Sequence, residues 1–405
     1  MDKNLRVLNI SQGRTGGAGI SAYRFHSALL QEGINSEFLD VEKISINSSE
    51  VLKTEPSVIF LELNQLRKKL INILGKWLKF KRLRKKYKLE VLSNGFFNSV
   101  DINTILEKYC KNYDVVVFHW VFKCVNNSLI KKISKERNVY VYLHDERVNY
   151  GLFHYSNDRK RAPTSLKFVD TLLKFAYKLS RWDKNVVFLS PSNWLIKNTL
   201  KINPNRKIFY LPYSNELAGM SWKSFEQTNN GIMNLLFVAQ SVDNHRKGNL
   251  YLKKVVEELS SAVNVRIHVV GETNNYENRE NVAYYGFLSH DEIYNLLISM
   301  DYFLLPSIED NMPNVMIEAL CLGCKVICFN VGGMSEVIIH GKNGYLAKEV
   351  THESLLEVIN EVLKSHGTKI WDKKEMGNFY RNYFSAQRQV GVFKNVHNSV
   401  TYNLF

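Results

Sequence analysis

Short apolar runs alternate with helical stretches along most of the chain. In the first half, the runs LRVLNIS, YDVVVFHW, NVYVYLHD and KNVVFLSPS have the pattern of buried strands, and GISAYRFHSALLQEG and NWLIKNTL repeat apolar residues at helical spacing. Buried strands separated by helices predict parallel βαβ units. We therefore expect a Rossmann-like sheet in this half.

A second series of the same kind follows the polar stretch EQTNNG at residues 226–231. Its apolar runs are MNLLFVAQ, VRIHVVGE, DYFLLPS and KVICFNVGG, again with helical stretches between them. The simplest architecture is α/β with two Rossmann-like domains of similar size. We place them at residues 1–212 and 213–385, with a C-terminal helix at 386–405.

The composition is that of a globular protein, with 405 residues of which 45% are apolar and 23% charged. No uncharged apolar run reaches the ~18 residues that a membrane helix needs, and the start MDKNLRVLNIS lacks the apolar core of a secretory signal. We expect a cytoplasmic protein. The five scattered cysteines fit reduced thiols, and the CxxC pair Cys321 and Cys324 predicts small core residues rather than a metal or redox site.

One stretch carries most of the positive charge. The net charge is +15, and residues 67–88 hold eleven basic residues and no acidic one. Leu70, Leu74 and Trp77 recur there at helical spacing. A basic amphipathic segment at residues 66–88 predicts contact with an anionic membrane surface. The alternatives are a helix packed on its own domain with a solvated charged face, and an RNA-binding surface.

A glycine-rich turn follows the first predicted strand. In SQGRTGGAGISAYR, Gly16 and Gly17 stand where a helix opens. Glycine lets a backbone approach a ligand closely, and a helix N-terminus offers free N–H groups. The turn predicts a seat for phosphate or a sugar, with a turn that touches no ligand as the alternative. It does not match the G-x-G-x-x-G dinucleotide pattern.

Two cations and two carboxylates mark the second half. Arg246 and Lys247 precede Gly248 and a helix, where they would bind an anion unless they are merely solvated. Asp310 lies in the loop after the strand DYFLL, and Glu318 follows eight residues later on a predicted helix. A carboxylate among apolar neighbours needs partners, and ribose hydroxyls would serve.

Histidines end two of the predicted strands. His144 follows the run VYVYL, at the strand end where doubly wound sheets bind ligands. For His119, which ends another strand, a packed core position is an equal alternative. We expect His26 to be structural, and we expect Trp120 and Tyr23 in the core although both ring types can stack on sugars.

The stretch PSIEDNMPNVMIEALCLGCKVICFNVGGMSEVIIHGKNGYLA resembles the nucleotide-sugar signature of glycosyltransferase family 4. TGGAGISAYRFHSAL, FHW, LHD, LSPSNWL and VAQSVDNHRKG extend the resemblance over most of the chain, and they are similar to bacterial exopolysaccharide and O-antigen members. The resemblance implies a GT-B fold, in which two Rossmann-like domains face each other across a cleft and a C-terminal helix returns to the N-terminal domain. It also implies a retaining transfer without a metal or other cofactor.

The same resemblance implies roles for individual residues. Asp310 would lie near the donor sugar hydroxyls, Lys247 would bind the diphosphate, and His144 would contact the transferring sugar, so these three are the expected catalytic residues. Glu318 would bind the ribose. Four residues would face the donor sugar and distal phosphate: Asn311, Met312, Pro313 and Asn314. Gly16 and Gly17 would lie under the acceptor or a phosphate.

The sequence departs from the family pattern at several positions. Asp310 replaces the commoner Glu, and Gln240 stands where many members have a diphosphate-binding Arg. We expect Gln240 and Arg246 among the donor-binding residues: either Arg246 restores the missing charge, or phosphate binding is weaker than in the family at large. Tyr213 and Ser214 replace the usual residues after the interdomain strand. No DxD-like cluster is placed to hold a divalent ion, which agrees with the implied metal independence.

The resulting prediction is a cytoplasmic enzyme at the inner membrane face that adds a sugar from a nucleotide-diphosphate sugar to a glycan or lipid-linked glycan. Its role would be in bacterial surface polysaccharide biosynthesis. A GT-B synthase with a soluble acceptor is one alternative. A basic RNA-binding protein is another, but the chain lacks the interleaved aromatic and basic motifs of RNA modules, so we expect no nucleic-acid partner.

Overall fold

The computed structural model describes residues 5–41, 52–55, 58–60, 86–87, 89, 106–119, 125, 127–179, 185–217, 231–273, 279–366 and 371–402. The chain divides into two compact units, one of residues 1–214 with 386–405 and one of residues 215–385. The predicted basic segment at 66–88 lies outside the described residues except for Lys86 and Tyr87, as do Trp120 and Cys124.

In the described part of the first unit, eight strands form one sheet. They are β1 Arg6–Ser11, β2 Asn35–Asp40, β3 Leu52–Glu55, β4 Val58–Phe60, β5 Val115–His119, β6 Asn138–Tyr142, β7 Val187–Ser190 and β8 Ile208–Tyr210. The order across the sheet is β3-β4-β2-β1-β5-β6-β7-β8. All neighbours run parallel except β3 and β4, an antiparallel edge pair that the sequence pattern did not predict.

The second unit has a parallel sheet of six described strands. They are β9 Met233–Ser241, β10 Val265–Glu272, β11 Val282–Gly286, β12 Tyr302–Leu305, β13 Lys325–Phe329 and β14 Gly344–Ala347. Their order is β11-β10-β9-β12-β13-β14. Both sheets therefore have the Rossmann-like alternation that the apolar runs predict.

Helices connect the strands in both units. Those of the first unit are α1 Gly16–Gln31, α2 Asn127–Ile133, α3 Ser156–Arg161, α4 Thr164–Leu179 and α5 Asn193–Ile202. Those that follow are α6 Asn249–Leu259, α7 His290–Ser299, α8 Asn314–Cys321, α9 His352–Ser365, α10 Lys373–Tyr383 and α11 Ala386–Tyr402. None of the helices in the described residues is long and apolar enough to cross a membrane.

Central strands are buried along their whole length because helices cover a parallel sheet on both faces. Every residue of β5 and of β13 is buried, which explains their continuous apolar sequences. Even Lys325 in β13 is only 7% exposed, and its ammonium lies 4.4 Å from the ring centre of Trp371. Cys321 and Cys324 are free and fully buried, as predicted for core residues.

The C-terminal helix α11 packs within the first unit, against α1. The rings of Phe25 and Phe393 meet edge to face at 5.2 Å. The hydroxyl of Tyr140 in β6 lies 2.9 Å from Nδ1 of His397 in the same helix. These contacts connect the end of the chain to the core of the first unit.

Candidate functional site

The strand order of the second unit reverses between β9 and β12. The chain leaves β9 through α6 to reach β10 on one side, and it leaves β12 through α8 to reach β13 on the other. Ligands of doubly wound sheets bind at the carboxyl ends of the strands at such a point. The loop after β9 carries Arg246 and Lys247, and the loop after β12 carries Asp310.

These three predicted residues form one cluster. Asp310 Oδ2 accepts hydrogen bonds from Lys247 Nζ at 2.7 Å and from Arg246 Nη1 at 2.9 Å. Arg246 Nη1 also donates to the carbonyl of Glu309 at 3.2 Å. The side chains of Arg246 and Asp310 are 11% exposed and that of Lys247 is 23% exposed, so the cluster remains partly open to solvent.

Backbone contacts fix the cluster from three loops. The amide of Ile308 donates to the carbonyl of Arg246 at 2.9 Å, which joins the two loops at the strand reversal. The amide of Gly333, in the loop after β13, donates to the carbonyl of Asp310 at 3.1 Å. A Cβ on Gly332 would lie 1.9 Å from the same carbonyl oxygen. Glycine is therefore required at 332, and neither glycine was among the predicted site residues.

The turn into α6 also depends on glycine. Gly248 has a φ of +83°, and a Cβ there would lie 1.9 Å from the carbonyl oxygen of Pro306. L-residues with a side chain rarely adopt such a φ, and no side chain fits against Pro306. Gly248 thus holds the loop of Arg246 and Lys247 directly against the end of β12.

Opposing influences act on the pKa of Asp310. Burial of its carboxyl favours the neutral form, but the charges of Lys247 and Arg246 and their hydrogen bonds outweigh burial and lower the pKa below its ordinary value. The carboxylate is therefore ionised at neutral pH. The cluster as a whole carries one net positive charge, which suits an anion that can exchange for the carboxylate.

The other predicted donor residues surround the start of α8. Asn311 and Met312 are buried, Pro313 is the N-cap residue, and Glu318 on the helix is 4% exposed. Gln240, by contrast, is exposed near the end of β9 and lies outside the hydrogen-bonded cluster. Asn314 is the first helical residue and is half-buried.

The first unit reverses its strand order between β1 and β5, and a chain of hydrogen bonds begins there. His119, the last residue of β5, pairs in register with Ser11 of β1, and its Nε2 lies 3.0 Å from Asn9 Oδ1. Its Nδ1 lies 3.2 Å from Nε2 of His144, and Nδ1 of His144 lies 2.6 Å from the hydroxyl of Tyr213. His119 and His144, the two histidines at the ends of predicted strands, are thus joined by a hydrogen bond.

One set of proton positions accounts for every hydrogen bond of this chain. Tyr213 donates to His144, whose Nε2–H donates to His119, whose Nε2–H donates to Asn9. The Asn9 amide then donates to Ser36 Oγ at 3.0 Å, and Ser36 lies 2.8 Å from Nδ1 of His26. Every histidine is neutral in this arrangement.

The pKa directions agree with neutral rings. Burial, with a smaller opposing effect of Asp145, lowers the pKa of His144 to about 4. Burial and the charge of Arg14 lower the pKa of His26 to about 4. Burial, followed by the neighbouring His144 and His26, lowers the pKa of His119 well below its usual value. His119 and His26 are both fully buried in the core, as expected for His26.

Both ring nitrogens of His144 are therefore occupied within the first unit. A hydroxyl of a bound sugar would have to displace one of these bonds to reach a ring nitrogen. Tyr213, where the sequence departs from the family pattern, supplies one of the two partners. Gln389 of α11 holds that segment, since it donates to the Pro212 carbonyl at 2.7 Å and accepts from Ser214 Oγ at 2.7 Å.

The glycine turn after β1 leaves room for a ligand at only some positions. Gly16 opens α1 with a φ of +70°, it is exposed, and a Cβ there would meet nothing within 4 Å. Gly17 is also exposed. Gly19 is different, because a Cβ there would lie 2.6 Å from the carbonyl oxygen of Gly13. The turn itself therefore requires Gly19 for packing and Gly16 for its backbone angle.

A buried Asp–His pair follows His144 and was not predicted. Asp145 Oδ2 lies 2.6 Å from His154 Nδ1, and Asp145 Oδ1 accepts from the amide of Arg147. Both side chains are at most 8% exposed. The sequence signal for this pair was the dipeptide HD at 144–145. Asn9, the partner of His119, was not predicted either, and its only signal was that it is a polar residue inside the apolar run RVLNIS.

Comparison with protein families gives one domain match. Residues 220–378 match the family model of the glycosyl transferases group 1. This range contains the whole cluster of Arg246, Lys247 and Asp310 together with Glu318.

Two curated relatives align with part of the chain. An uncharacterized 41.2 kDa protein in the cps region of Klebsiella pneumoniae is 28% identical over 41% of this chain and 46% of that protein. The putative teichuronic acid biosynthesis glycosyltransferase TuaC of Bacillus subtilis is 32% identical over 27% of this chain and 26% of that protein. The chain spans less than half the length of these relatives.

Solved structures match over nearly the whole chain. Sucrose-phosphate synthase from Thermosynechococcus elongatus has a TM-score of 0.65 at 14% identity, over 99% of this chain and 100% of that one. Anabaena HepE in complex with UDP and glucose has a TM-score of 0.62 at 14% identity, over 98% and 100%. At this identity the likeness concerns the fold, and the predicted α/β fold of the GT-B class is confirmed.

Proposed function

We propose that this protein is a glycosyltransferase that takes a sugar from a nucleotide-diphosphate sugar. The observation that carries the proposal is the cluster in which Lys247 and Arg246 share Asp310 Oδ2, at 2.7 and 2.9 Å. It lies at the strand reversal of the second unit and inside the range that matches the group 1 glycosyltransferases. The UDP and glucose bound to HepE, which has a similar fold, are a second support.

In the proposed reaction, the bond between the sugar and the diphosphate breaks as negative charge develops on the leaving phosphate. Lys247 and Arg246 would stabilise that charge, as cations fixed in advance stabilise a transition state. Asp310, once it is displaced from the cations, would accept hydrogen bonds from sugar hydroxyls. Glu318 would bind the ribose, and His144 would contact the transferring sugar.

Calorimetric titration with UDP, GDP and ADP, with EDTA present, tests this function. We expect one of these nucleotides to bind. Lys247→Met should weaken its binding about tenfold or more, because a charge-assisted hydrogen bond contributes about 1.5–3 kcal/mol. Lys253→Met, which changes an exposed lysine of α6, is the control and should bind normally. Failure of all three nucleotides to bind would overturn the proposal.

The finer parts of the proposal concern the stereochemistry and the acceptor. We propose retention of the sugar configuration, no metal or cofactor requirement, and a glycan or lipid-linked glycan acceptor in surface polysaccharide biosynthesis. The name of TuaC, which refers to teichuronic acid biosynthesis, supports a polysaccharide role. A soluble acceptor is the alternative, and transfer that proceeds equally well without a lipid on the acceptor would favour it. Membrane contact through residues 66–88 stays a prediction.

A further inference from the structure

Helix α4 of the first unit presents a stripe of large apolar side chains to solvent. Phe168 is 63% exposed, Leu172 is 53% exposed and Phe175 is 61% exposed. The three are spaced by four and three residues, so they lie on one face of the helix. Isolated exposed apolar residues are common, but three aligned on one helix face mark an interaction surface. We call these three residues the α4 stripe.

The opposite face of α4 is already packed. Leu166 is buried in a cluster with Leu152 and Phe153. Asp170 is fully buried and accepts from the amides of Gly151 and Leu152 at 2.9 and 2.7 Å. These contacts fix the helix to the unit, so the outward orientation of the α4 stripe follows from the fold.

The charges beside the stripe are positive. Lys167 and Lys174, one helical heptad apart, lie along one side of it and are half-buried. Asp170 is the sole acidic residue in the sequence of α4, and it faces inward, paired with Arg159 Nε at 2.8 Å. The preceding helix α3 ends in the run Arg159, Lys160 and Arg161, in which Arg159 pairs with Asp170 and Arg161 with Asp158. The α4 stripe therefore has a basic border along one side.

We propose that the α4 stripe docks on an anionic phospholipid surface. A helix with an apolar face and a lysine border is suited to lie in the interface plane, where apolar side chains enter the acyl boundary and lysines meet anionic headgroups. Charge complementarity favours this partner over a second copy of the chain, since two copies joined at this face would bring their basic borders together. The proposal concerns residues other than the predicted segment at 66–88.

Two further contacts support this location. Leu89 is buried in the cluster of Leu152 and Leu166, and Tyr87 packs against it. Lys86, whose ammonium lies 5.4 Å from the ring centre of Tyr87, therefore adds a positive charge beside this cluster.

Docking would also have a consequence for the proposed reaction, and this step rests on the proposed function. The bonds of Asp170 fix α4 to Gly151 and Leu152, a few residues after His144. A membrane-bound α4 would thus hold the loop that follows His144 at the lipid surface, where a lipid-linked acceptor is found.

Vesicle flotation of the full chain tests the docking. Phosphatidylcholine vesicles with and without phosphatidylglycerol are the probes. We expect binding to the anionic vesicles, and the triple variant Phe168→Gln, Leu172→Gln and Phe175→Gln should bind about tenfold more weakly or worse, because each buried apolar side chain contributes to partition. Glutamine is a good helix former, so α4 should remain folded. Phe287→Gln with Phe379→Gln, which alters two exposed phenylalanines of the second unit, is the matched control.

A charge variant gives an independent result. Lys167→Gln with Lys174→Gln should weaken binding to anionic vesicles several-fold and leave any binding to neutral vesicles unchanged. Wild-type failure to float with anionic vesicles, or equal flotation of the stripe variant, would overturn the proposal. A dimer that the stripe variant dissociates would assign the face to a second copy instead. Nucleotide titration of the stripe variant should match the wild type, so failure of the docking and failure of the proposed transferase are distinguishable.

Discussion

The ammonium of Lys247 lies 2.7 Å from Oδ2 of Asp310, although the two residues are 63 positions apart in the chain. The family resemblance implies that the lysine binds a diphosphate and that the aspartate lies near sugar hydroxyls. The structure joins them instead, so in this state the carboxylate occupies the position of an anion beside the lysine. The exchange of that carboxylate for a bound diphosphate is the basis of the first prediction.

Asp310→Asn should separate nucleotide binding from sugar transfer. The change removes the negative charge that competes with the diphosphate for Lys247 and Arg246, so the affinity for the nucleotide that binds should stay the same or rise. Transfer from the corresponding nucleotide sugar should fall, because an ionised acceptor for the sugar hydroxyls is lost. Calorimetry measures the first effect and product formation the second. A loss of nucleotide affinity as large as that of Lys247→Met would mean that Asp310 mainly holds the cations in place.

Tyr213→Phe should alter the hydrogen bonding of His144. The variant removes the hydroxyl that donates to Nδ1 at 2.6 Å and leaves that nitrogen without its partner. Long-range nitrogen–proton NMR spectra should show an Nε2–H tautomer with a bonded Nδ1 in the wild type and an altered Nδ1 signal in the variant.

The matched control for this variant is Tyr285→Phe. Its hydroxyl lies 2.8 Å from Nδ1 of His268 in the second unit, so the His268 signal should change and the His144 signal should not. We also expect Tyr213→Phe to slow sugar transfer and to leave nucleotide affinity unchanged. An unaltered His144 signal in Tyr213→Phe would contradict the hydrogen-bond chain.

Mild acid should destabilise the first unit. His26 and His144 have a pKa of about 4 in the folded protein, whereas an unfolded histidine has a pKa of about 6.5. Between these values the unfolded chain binds protons that the folded chain does not. These two histidines therefore leave the free energy of unfolding unaffected by pH above about pH 6.5. Between about pH 6.5 and pH 4 they lower it as the pH falls, by up to about 1.4 kcal/mol per pH unit for each histidine.

Urea unfolding at several pH values measures this dependence. His26→Gln should reduce the slope of unfolding free energy against pH by about one proton. His352→Gln, which replaces an exposed histidine of the second unit, is the control for losing a histidine outside the first unit. Equal slopes for His26→Gln and the wild type would show that His26 does not contribute to the pH dependence of stability.

Gly248→Ala should be far more damaging than Gly341→Ala. Both glycines have a φ near +80°, but a Cβ at 248 would lie 1.9 Å from the Pro306 carbonyl oxygen, while a Cβ at 341 would meet nothing within 4 Å. Gly341→Ala should cost about 1–2 kcal/mol for the left-handed backbone alone. Gly248→Ala should cost more and should also weaken nucleotide binding, because the loop of Lys247 must move. Thermal unfolding and calorimetry of both variants test the difference, and equal losses of stability would contradict the close approach.

Local sequence was enough to find the loops of the site. Buried parallel strands leave continuous apolar runs, and the polar residues that follow such a run lie at the carboxyl end of the sheet. Arg246, Lys247 and Asp310 were identified in this way. The fold class was predictable for the same reason, but the antiparallel edge pair β3 and β4 was not, since an edge strand can join in either direction with the same short pattern.

The α/β alternation, the two Rossmann-like sheets and the residue types at the strand ends therefore follow from the amino-acid sequence alone. Tertiary structure alone decided which of those residues meet. The ion cluster at Asp310, the glycines at 332 and 333 beside it, the bond between His119 and His144 and the outward face of α4 all join or orient residues distant in sequence. The periodicity of apolar residues along the chain indicates whether a side chain is buried. The residue that this side chain contacts depends instead on strand order and on the path of the loops, because these bring distant segments together.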